Sequence, residues 1–200
     1  NKEKMSKSLG NFFTIREVLE KYPAEVIRYF LVSSHYRSQV DYSEDNLVEA
    51  NATLDRLYQS LRGLSEGDFS SEELDQSYVA RFKTAMDDDF NTPESLAVMF
   101  DLVRELNVAG TDQQEKVAKL ATTLKTLGEA LGILQLDPEA YFKGESSDGL
   151  SNAEIDQLVQ DRTDARTNKN WAESDRVRDL LLEQGITLDD SKDGTSWRRT

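Results

Sequence analysis

Two lysines three positions apart lie close to the start of the chain, in a short stretch that also contains serine and glycine. The stretch reads Lys4-Met5-Ser6-Lys7-Ser8, followed by Leu9-Gly10-Asn11. A lysine ammonium is a compact point charge on a flexible stem, so such a loop can place fixed positive charge on a polyphosphate. This composition predicts stabilisation of the charge on a departing pyrophosphate, with the loop closing as a lid. The alternative is a solvated basic loop without a ligand.

The bulk composition is that of an ordinary helix-rich protein of one or two domains. The chain has 200 residues, of which 31% are charged and 8% aromatic, and it is long enough to bury a core. Its apolar runs are too short to span a membrane, and no signal peptide is recognisable. Because the first residue is Asn1 rather than Met, we expect a fragment of a longer protein. The absence of Cys excludes disulfides and thiolate metal sites, which is compatible with a reducing cytoplasm.

The net charge of −14 argues against non-specific binding to nucleic acid, but the charge is unevenly distributed. Residues 1–50 carry 7 basic and 8 acidic side chains, a balance of −1. Residues 51–150 carry 9 and 19, a balance of −10, and residues 151–200 carry 8 and 11, a balance of −3. The two ends are therefore nearly neutral, and the composition permits nucleic-acid binding at selected contact points.

The pattern of apolar residues predicts a mainly α fold in four segments. Residues 1–42 are predicted to form the basic loop and two short helices, with a capping box at Thr14-Ile15-Arg16-Glu17. Residues 43–135 are predicted to form an antiparallel helical bundle, because leucines recur there at spacings of three and four. The two longest stripes are Leu47, Ala50, Leu54, Leu57, Leu61 and Leu64, and Val117, Leu120, Leu124, Leu127, Leu131 and Leu134.

The remaining residues predict a linker and a small α+β domain. Residues 136–150 are rich in Gly, Ser and Pro and are predicted to be the linker. In 151–200, a second capping box begins two helices, about 152–168 and 170–184, and an alternating stretch near Ile186 predicts a short hairpin. Trp197 is predicted to pack in the core of this domain.

Several separated segments resemble the C-terminal part of the cysteinyl-tRNA synthetase family, a class I aminoacyl-tRNA synthetase. The first is the Lys4–Ser8 stretch, which matches the class I signature loop. The second is 22–30, where Glu25-Val26-Ile27-Arg28 stands at the family's Asp-Ala-Leu-Arg pattern. The third and fourth are Ser34-His35-Tyr36-Arg37-Ser38 and Asp87-Asp88-Asp89-Phe90-Asn91-Thr92. The last is a set of residues near the C-terminus: Trp171–Asp175, Arg178, Gly185, Ile186, Asp190, Gly194 and Trp197–Arg199. The resemblance implies that 1–42 ends a catalytic region with a stem-contact fold, that 43–135 is a DALR-like bundle, and that 151–200 is an anticodon-binding domain.

The resemblance implies a ligase that activates cysteine with ATP and transfers it to tRNA(Cys) in the cytoplasm. It assigns the ATP contact to Lys7, with Lys4 as a weaker charge contributor and Met5, Ser6 and Ser8 shaping the loop. The family's zinc and nucleotide-binding fold would lie outside this chain, which has no Cys and one His. The isolated chain is therefore expected to be inactive and to bind no zinc.

Four residues near the end are implied to read the anticodon GCA. Unstacked bases are read by stacking and by hydrogen bonds to their edges, which suits Trp171 as a stacking residue, Arg166 as a bidentate donor, and Asp175 and Asp190 as acceptors. For Arg166 and Asp175 the alternative is a structural salt bridge, and for Trp171 it is a half-buried aromatic at a helix start. Arg198 and Arg199 are phosphate contacts or simply solvated.

Two further motifs have a structural interpretation and a functional one. His35 has no catalytic partner nearby in sequence, so a packing or RNA-backbone role is favoured over a general base. Asp87-Asp88-Asp89 can suggest Mg²⁺, but its place at a helix end favours a network of interhelical caps.

Two other functions are compatible with parts of the sequence. A tRNA-independent cysteine ligase of the mycothiol pathway shares the basic loop but has no need of an anticodon domain. An acidic helical interaction module without enzymatic activity would make the loop accidental and would show no preference for tRNA.

Overall fold

The computed structural model describes residues 14–64, 69, 73–109, 113–144, 149–191 and 194–199. The described chain is mainly helical, with one two-stranded antiparallel sheet, as the sequence predicts. It divides into two compact units, residues 1–135 and residues 136–200. No helix in the described ranges is long and apolar enough to cross a membrane.

Several described helices of the first unit begin at capping side chains, whereas the second and the sixth begin without one. They are α1 Ile15–Leu19, α2 Ala24–Val32, α3 Glu44–Leu61, α4 Gln76–Asp87, α5 Thr92–Val108 and α6 Gln114–Leu131. Thr14 and Glu17 form the predicted capping box before α1, and Ser43 caps α3. Pro23 precedes α2 as its cap residue. The side chains of Thr14 and Ser43 accept hydrogen bonds from backbone N–H groups that have no partner within the helix.

The core of the first unit is built from the two predicted apolar stripes and the inner face of α5. Helix α2 packs on α3, α5 contacts α3 and α6, and α4 contacts α5 and α6. Leu64, predicted to extend the first stripe, lies beyond the end of α3 because Arg62 is extended and Gly63 has a φ of +79°. The largest fully buried side chains of this unit are Tyr58, Leu47, Leu54, Leu57, Leu61, Met99, Leu102, Leu120, Leu124 and Ile133.

A buried carboxylate fastens α2 to the turn after α6. Both oxygens of Glu25 accept from the Tyr58 hydroxyl at 2.9 Å, and the Leu134 N–H also donates to Glu25. On the same helix, Arg28 donates to the carbonyl of Gly132, which has a φ of +69° at the end of α6. Charged hydrogen bonds of this kind satisfy a carboxylate that would otherwise be costly to bury.

The second unit begins with a helix where the sequence analysis places a linker. Helix α7, Pro138–Lys143, has Asp137 as its cap and proline at its first position. Phe142 is buried, and α7 contacts the C-terminal sheet. The segment therefore packs into the unit through contacts with residues about fifty positions away, which its Gly- and Ser-rich composition does not reveal.

The rest of the second unit has the predicted two helices and hairpin. Helices α8, Asn152–Thr167, and α9, Trp171–Glu183, pack on each other and are followed by β1, Ile186–Ser191, and β2, Gly194–Arg199. The strands pair antiparallel with Leu188 opposite Trp197. The buried cluster contains Ile155, Val159, Val177, Leu181, Ile186 and Trp197, which confirms Trp197 as a core residue.

Candidate nucleic-acid interface

The basic loop lies outside the described residues. Lys4, Met5, Ser6, Lys7 and Ser8 all precede Thr14, the first residue that the structure describes. Their assignment to ATP therefore stays a prediction from the sequence.

Asp190 is the centre of a charged cluster between α8 and the hairpin. Arg162 donates from its two terminal nitrogens to the two oxygens of Asp190, each at 2.9 Å. Arg166, one helical turn further along α8, donates to Oδ2 at 2.9 Å, and the Thr195 hydroxyl donates to Oδ1 at 2.6 Å. The structure therefore joins the predicted residues Arg166 and Asp190 directly.

Arg162 is a member of this cluster that the sequence does not predict. Its side chain is only 8% exposed, whereas those of Arg166 and Asp190 are 44% and 43% exposed. The four-residue spacing between Arg162 and Arg166 places both on one face of α8, and this spacing is the signal available in the sequence. Nothing local pairs that face with Asp190, which is 28 residues from Arg162.

The cluster uses the full acceptor capacity of Asp190 and keeps it ionised. A carboxylate offers about four lone-pair positions, and each oxygen of Asp190 here accepts two hydrogen bonds. Hydrogen bonds from Arg162 and Thr195 hold the pKa of Asp190 well below its usual value, against a smaller opposing effect of burial. Hydrogen bonds to Asp190 raise the pKa of Arg162, and the charge of Asp175 adds to this rise.

Trp171 and Asp175 lie at the start of α9, on the other side of the short α8–α9 connection from Arg166. Trp171 is the first residue of α9 and is 60% exposed, so it is not the half-buried aromatic of the structural alternative. Asp175, one turn later, is exposed and lies 3.7 Å from Arg178. An exposed indole beside acceptors and a guanidinium is the kind of surface on which an unstacked base can stack and be read.

The arginines at the end of the hairpin differ in their contacts. Arg199 donates to the carbonyls of Lys143 and Leu150 at 2.7 and 2.9 Å and to the side chain of Asn152 at 2.8 Å. It is therefore neither a free phosphate contact nor simply solvated, because it holds the α7–α8 connection. Arg198 lies 3.8 Å from Asp189 across the hairpin.

In the first unit, the His35 and Asp89 motifs meet, although they are more than fifty residues apart. Asp89 accepts from the Tyr36 hydroxyl at 2.7 Å and lies 3.0 Å from Arg37, so it does not serve the predicted cap network. Asn91 caps α5 instead. His35 stacks on Tyr36 with ring centroids 4.9 Å apart, which is a packing role. No cluster of metal-ligating side chains is present among the described residues.

Three family models match the chain in succession. Residues 1–52 match the tRNA synthetases class I (C) catalytic domain, 81–135 the DALR domain, and 148–198 the cysteinyl-tRNA ligase anticodon binding domain. The anticodon-domain match contains Arg162, Arg166, Trp171, Asp175 and Asp190. The DALR match does not include Glu25–Arg28, where the sequence analysis places that pattern.

The chain is also similar to curated proteins named cysteine–tRNA ligase. It is 55% identical to that of Methylococcus capsulatus over 203 residues, covering 100% of this chain and 43% of the relative. It is 55% identical to those of Azotobacter vinelandii over 196 residues and Marinobacter nauticus over 204 residues, covering 98% and 100% of this chain and 42% and 43% of those proteins. The chain thus spans less than half the length of these relatives.

These matches agree with the resemblance read from separated motifs, and they extend it over the whole chain. They give no support to a tRNA-independent ligase of the mycothiol pathway or to a helical interaction module. The chain belongs to the cysteine–tRNA ligase family of class I tRNA synthetases.

Proposed function

We propose that the chain is part of an enzyme that activates cysteine with ATP and transfers the cysteinyl group to tRNA(Cys). In this proposal it supplies the ATP-binding loop and the recognition of the tRNA stem and anticodon. The proposal rests on two observations about the same part of the chain. The match to the anticodon binding domain covers 148–198, and these residues contain both the charged cluster on Asp190 and the exposed Trp171.

Each proposed reader has a chemical role suited to an unpaired base. Trp171 provides a stacking surface that any base can use. Arg166 offers a planar pair of donors to a base edge or phosphate, and Asp175 and Asp190 accept from base amino groups. Arg162 does not contact the base in this scheme, because it is buried and acts by holding Asp190 in place.

Binding requires an exchange at Asp190, because all four of its acceptor positions are already in use. Arg166 holds Oδ2 through one hydrogen bond and is exposed, whereas Arg162 holds the carboxylate through two and is buried. We therefore propose that a base amino group displaces Arg166 from Oδ2, while Arg162 remains. The displaced guanidinium of Arg166 is then free to contact the RNA. The same exchange therefore makes both Asp190 and Arg166 available to the RNA.

The signature loop would act on ATP at the other end of the chain. Lys7, assisted by Lys4, would hold the polyphosphate and stabilise the negative charge that develops on the leaving pyrophosphate. Met5, Ser6 and Ser8 would shape the loop. ATP supplies the phosphoanhydride that is exchanged for a mixed anhydride with cysteine.

Other parts of the proposed reaction are assigned outside these residues. The chain has no Cys and a single His, so a zinc site that recognises the cysteine thiolate would be supplied by residues beyond it. The isolated chain should therefore catalyse no cysteine-dependent exchange between ATP and pyrophosphate. The reaction belongs to the cytoplasm, where translation takes place, and involves no membrane.

The decisive experiment is a titration of the chain with two transcripts of tRNA(Cys), one with the GCA anticodon and one with an altered anticodon. Salt must be fixed at a low concentration, because phosphate contacts dominate affinity. Tryptophan fluorescence follows binding through Trp171, since Trp197 is buried. We expect tighter binding of the GCA transcript and loss of this difference in Asp190→Asn.

Leu182→Ala is the matched control, because Leu182 is an exposed apolar residue on α9 outside the cluster. Circular dichroism would verify that each variant is folded. Equal affinity of the parent chain for both transcripts would contradict the assignment of anticodon reading to residues 151–200.

A further inference from the structure

A groove between α3 and α5 has a lining that is unusual for this acidic part of the chain. It has a volume of about 450 Å³ and belongs to the first unit, whereas the Asp190 cluster belongs to the second. Its polar lining residues are Arg56, Gln59, Ser60, Arg104 and Asn107. Among the described residues the lining contains no carboxylate, although residues 51–150 carry a balance of −10.

The donors that line the groove are largely unused. Among the described residues, Arg56 forms no ion pair, and its Nε donates to the carbonyl of Ala52 at 3.4 Å. The side-chain amides of Gln59 and Asn107 have no hydrogen-bond partner within the described ranges. Ser60 donates to the Leu57 carbonyl at 2.7 Å, which leaves its oxygen as an acceptor.

Arg104 also retains positive charge despite its ion pair. It lies 3.1 Å from Asp101, and Arg81 pairs with the same carboxylate. Two guanidinium groups therefore share one negative charge at this edge of α5. With Arg56, the described lining of the groove contributes two guanidinium groups.

Helical spacing aligns the groove with an extended anionic strand. Phe100, Val103 and Asn107 recur on one face of α5, and Arg56 and Ser60 are one turn apart on α3. The seven positions from Phe100 to Asn107 correspond to roughly 10 Å along α5. The donors of the groove are therefore spread along a line rather than gathered at one point, which suits the repeated charges of a phosphodiester backbone.

We propose that the α3–α5 groove binds the phosphodiester backbone of the tRNA at a point separate from the anticodon. Guanidinium groups match phosphate oxygens through paired hydrogen bonds, and side-chain amides add neutral donors. The apolar residues Phe100 and Val103 provide a surface for the sugar. The proposal rests on the proposed function only for the identity of the RNA.

Affinity and its salt dependence would test the groove. Arg56→Gln and Arg104→Gln should each weaken binding of tRNA(Cys) about tenfold at low salt, whichever anticodon is present. Each should also reduce the slope of log affinity against log salt by about 1. Arg56→Lys should retain the slope but bind less tightly than the parent chain, because lysine keeps the positive charge but lacks the paired N–H donors of the guanidinium.

Lys83→Gln is the matched control, since it removes one positive charge from exposed α4 outside the groove. Equal effects of Arg56→Gln and Lys83→Gln, or no binding of tRNA by the parent chain, would overturn the proposal. Calorimetry with inorganic pyrophosphate provides a second arm. Pyrophosphate binding that depends on Arg56, with unchanged tRNA affinity, would identify a small-anion site and would also overturn the proposal.

The two proposals fail in different ways. If the parent chain binds both anticodons equally but Arg56→Gln still weakens binding, anticodon reading at Asp190 fails and the groove stands. If Asp190→Asn abolishes discrimination while Arg56→Gln has no effect beyond that of the control, the groove fails and the anticodon site stands.

Discussion

Arg162 and Asp190 form a two-pronged ion pair, in which each terminal nitrogen of the guanidinium lies 2.9 Å from one carboxylate oxygen. The pair joins α8 to β1 and fixes the plane of the Asp190 carboxylate. Such bidentate geometry adds orientation to charge attraction. A proposed RNA-contacting residue is thus held by a buried partner that does not itself reach the surface.

The pH dependence of stability should report the ionisation of Asp190. Because its pKa is lowered from 3.8, its stabilising effect is complete above that value and is lost as the pH falls below it. The parent chain should therefore exceed Asp190→Asn in free energy of unfolding at pH 7, and this difference should shrink below about pH 4. Urea unfolding at several pH values would measure it. A difference that stays constant down to pH 2 would show that the ionised form of Asp190 adds nothing to the free energy of unfolding.

Replacing Arg162 should damage recognition more than its distance from the surface suggests. Arg162→Lys keeps a positive charge but loses the two-pronged contact, so Asp190 should turn and anticodon discrimination should fall about tenfold or more. Discrimination is the ratio of dissociation constants for the two transcripts. Arg166→Lys serves for comparison, because Arg166 holds Asp190 by a single hydrogen bond. Retention of full discrimination by Arg162→Lys would contradict a positioning role.

Removing the exposed indole of Trp171 should weaken RNA binding without weakening the fold. Stacking of a base on an aromatic side chain is worth about 1–3 kcal/mol, so Trp171→Ala should lower affinity by roughly 5- to 150-fold. Its thermal midpoint should match that of Leu182→Ala, since both side chains are more than half exposed. A fall in stability without a change in affinity would instead identify Trp171 as a structural residue. Filter binding suits this comparison because it needs no tryptophan signal.

The buried Glu25 contact should be a major source of stability in the first unit. Tyr58→Phe removes a donor at 2.9 Å from both carboxylate oxygens and should cost about 1.5–3 kcal/mol in free energy of unfolding. Tyr36→Phe removes a comparable hydroxyl from the exposed Asp89 and should cost about 0–1 kcal/mol. Urea denaturation followed by circular dichroism would compare them. Equal losses would show that burial adds nothing to the Glu25 contact.

Alanine substitutions at two glycines would distinguish the cost of backbone strain from the cost of a steric clash of the added Cβ. Gly63 has a φ of +79° with open space where a Cβ would lie, so Gly63→Ala should cost about 1–2 kcal/mol through strain alone. At Gly132, φ is +69° and an added Cβ would lie 2.9 Å from Cδ of Arg28. Gly132→Ala should therefore cost roughly 1 kcal/mol more, because Arg28 must shift from its hydrogen bond to the Gly132 carbonyl. Differential scanning calorimetry of both variants would reveal whether the second cost exists.

Local signals in the sequence predicted many helix boundaries and much of the core. Both capping boxes, Thr14 with Glu17 and Ser151 with Glu154, involve residues three positions apart, and the structure confirms them. The leucine stripes have helical spacing, which is also local. By contrast, α7 depends on burial of Phe142, and its short Pro- and Gly-flanked sequence resembles a linker.

In the candidate site, too, some residues can be predicted from the local sequence, whereas others depend on a partner far away in the chain. Residue chemistry and family resemblance point to Trp171 and Arg166, whereas nothing local points to Arg162, because its partner is 28 residues away. The amphipathic pattern of α2 likewise gave no sign that the carboxylate of Glu25 would be buried by Tyr58 and Leu134. The long-range pairing of charged side chains could therefore not be predicted from the sequence pattern alone.

The burial of Trp197 has a consequence for the order in which the second unit folds during synthesis. Its indole packs in the core and donates to Asp156 at 2.7 Å, and the cationic groups of Lys143 and Arg199 lie 5.2 and 5.5 Å from the centre of its ring. A nascent chain that has emerged only as far as β1 lacks this indole, so α7, α8 and α9 cannot complete their shared interior. Folding of the unit must therefore wait until 194–199 have left the ribosome. A product that lacks these last residues would leave the apolar faces of α7, α8 and α9 without their common partner and accessible to proteases.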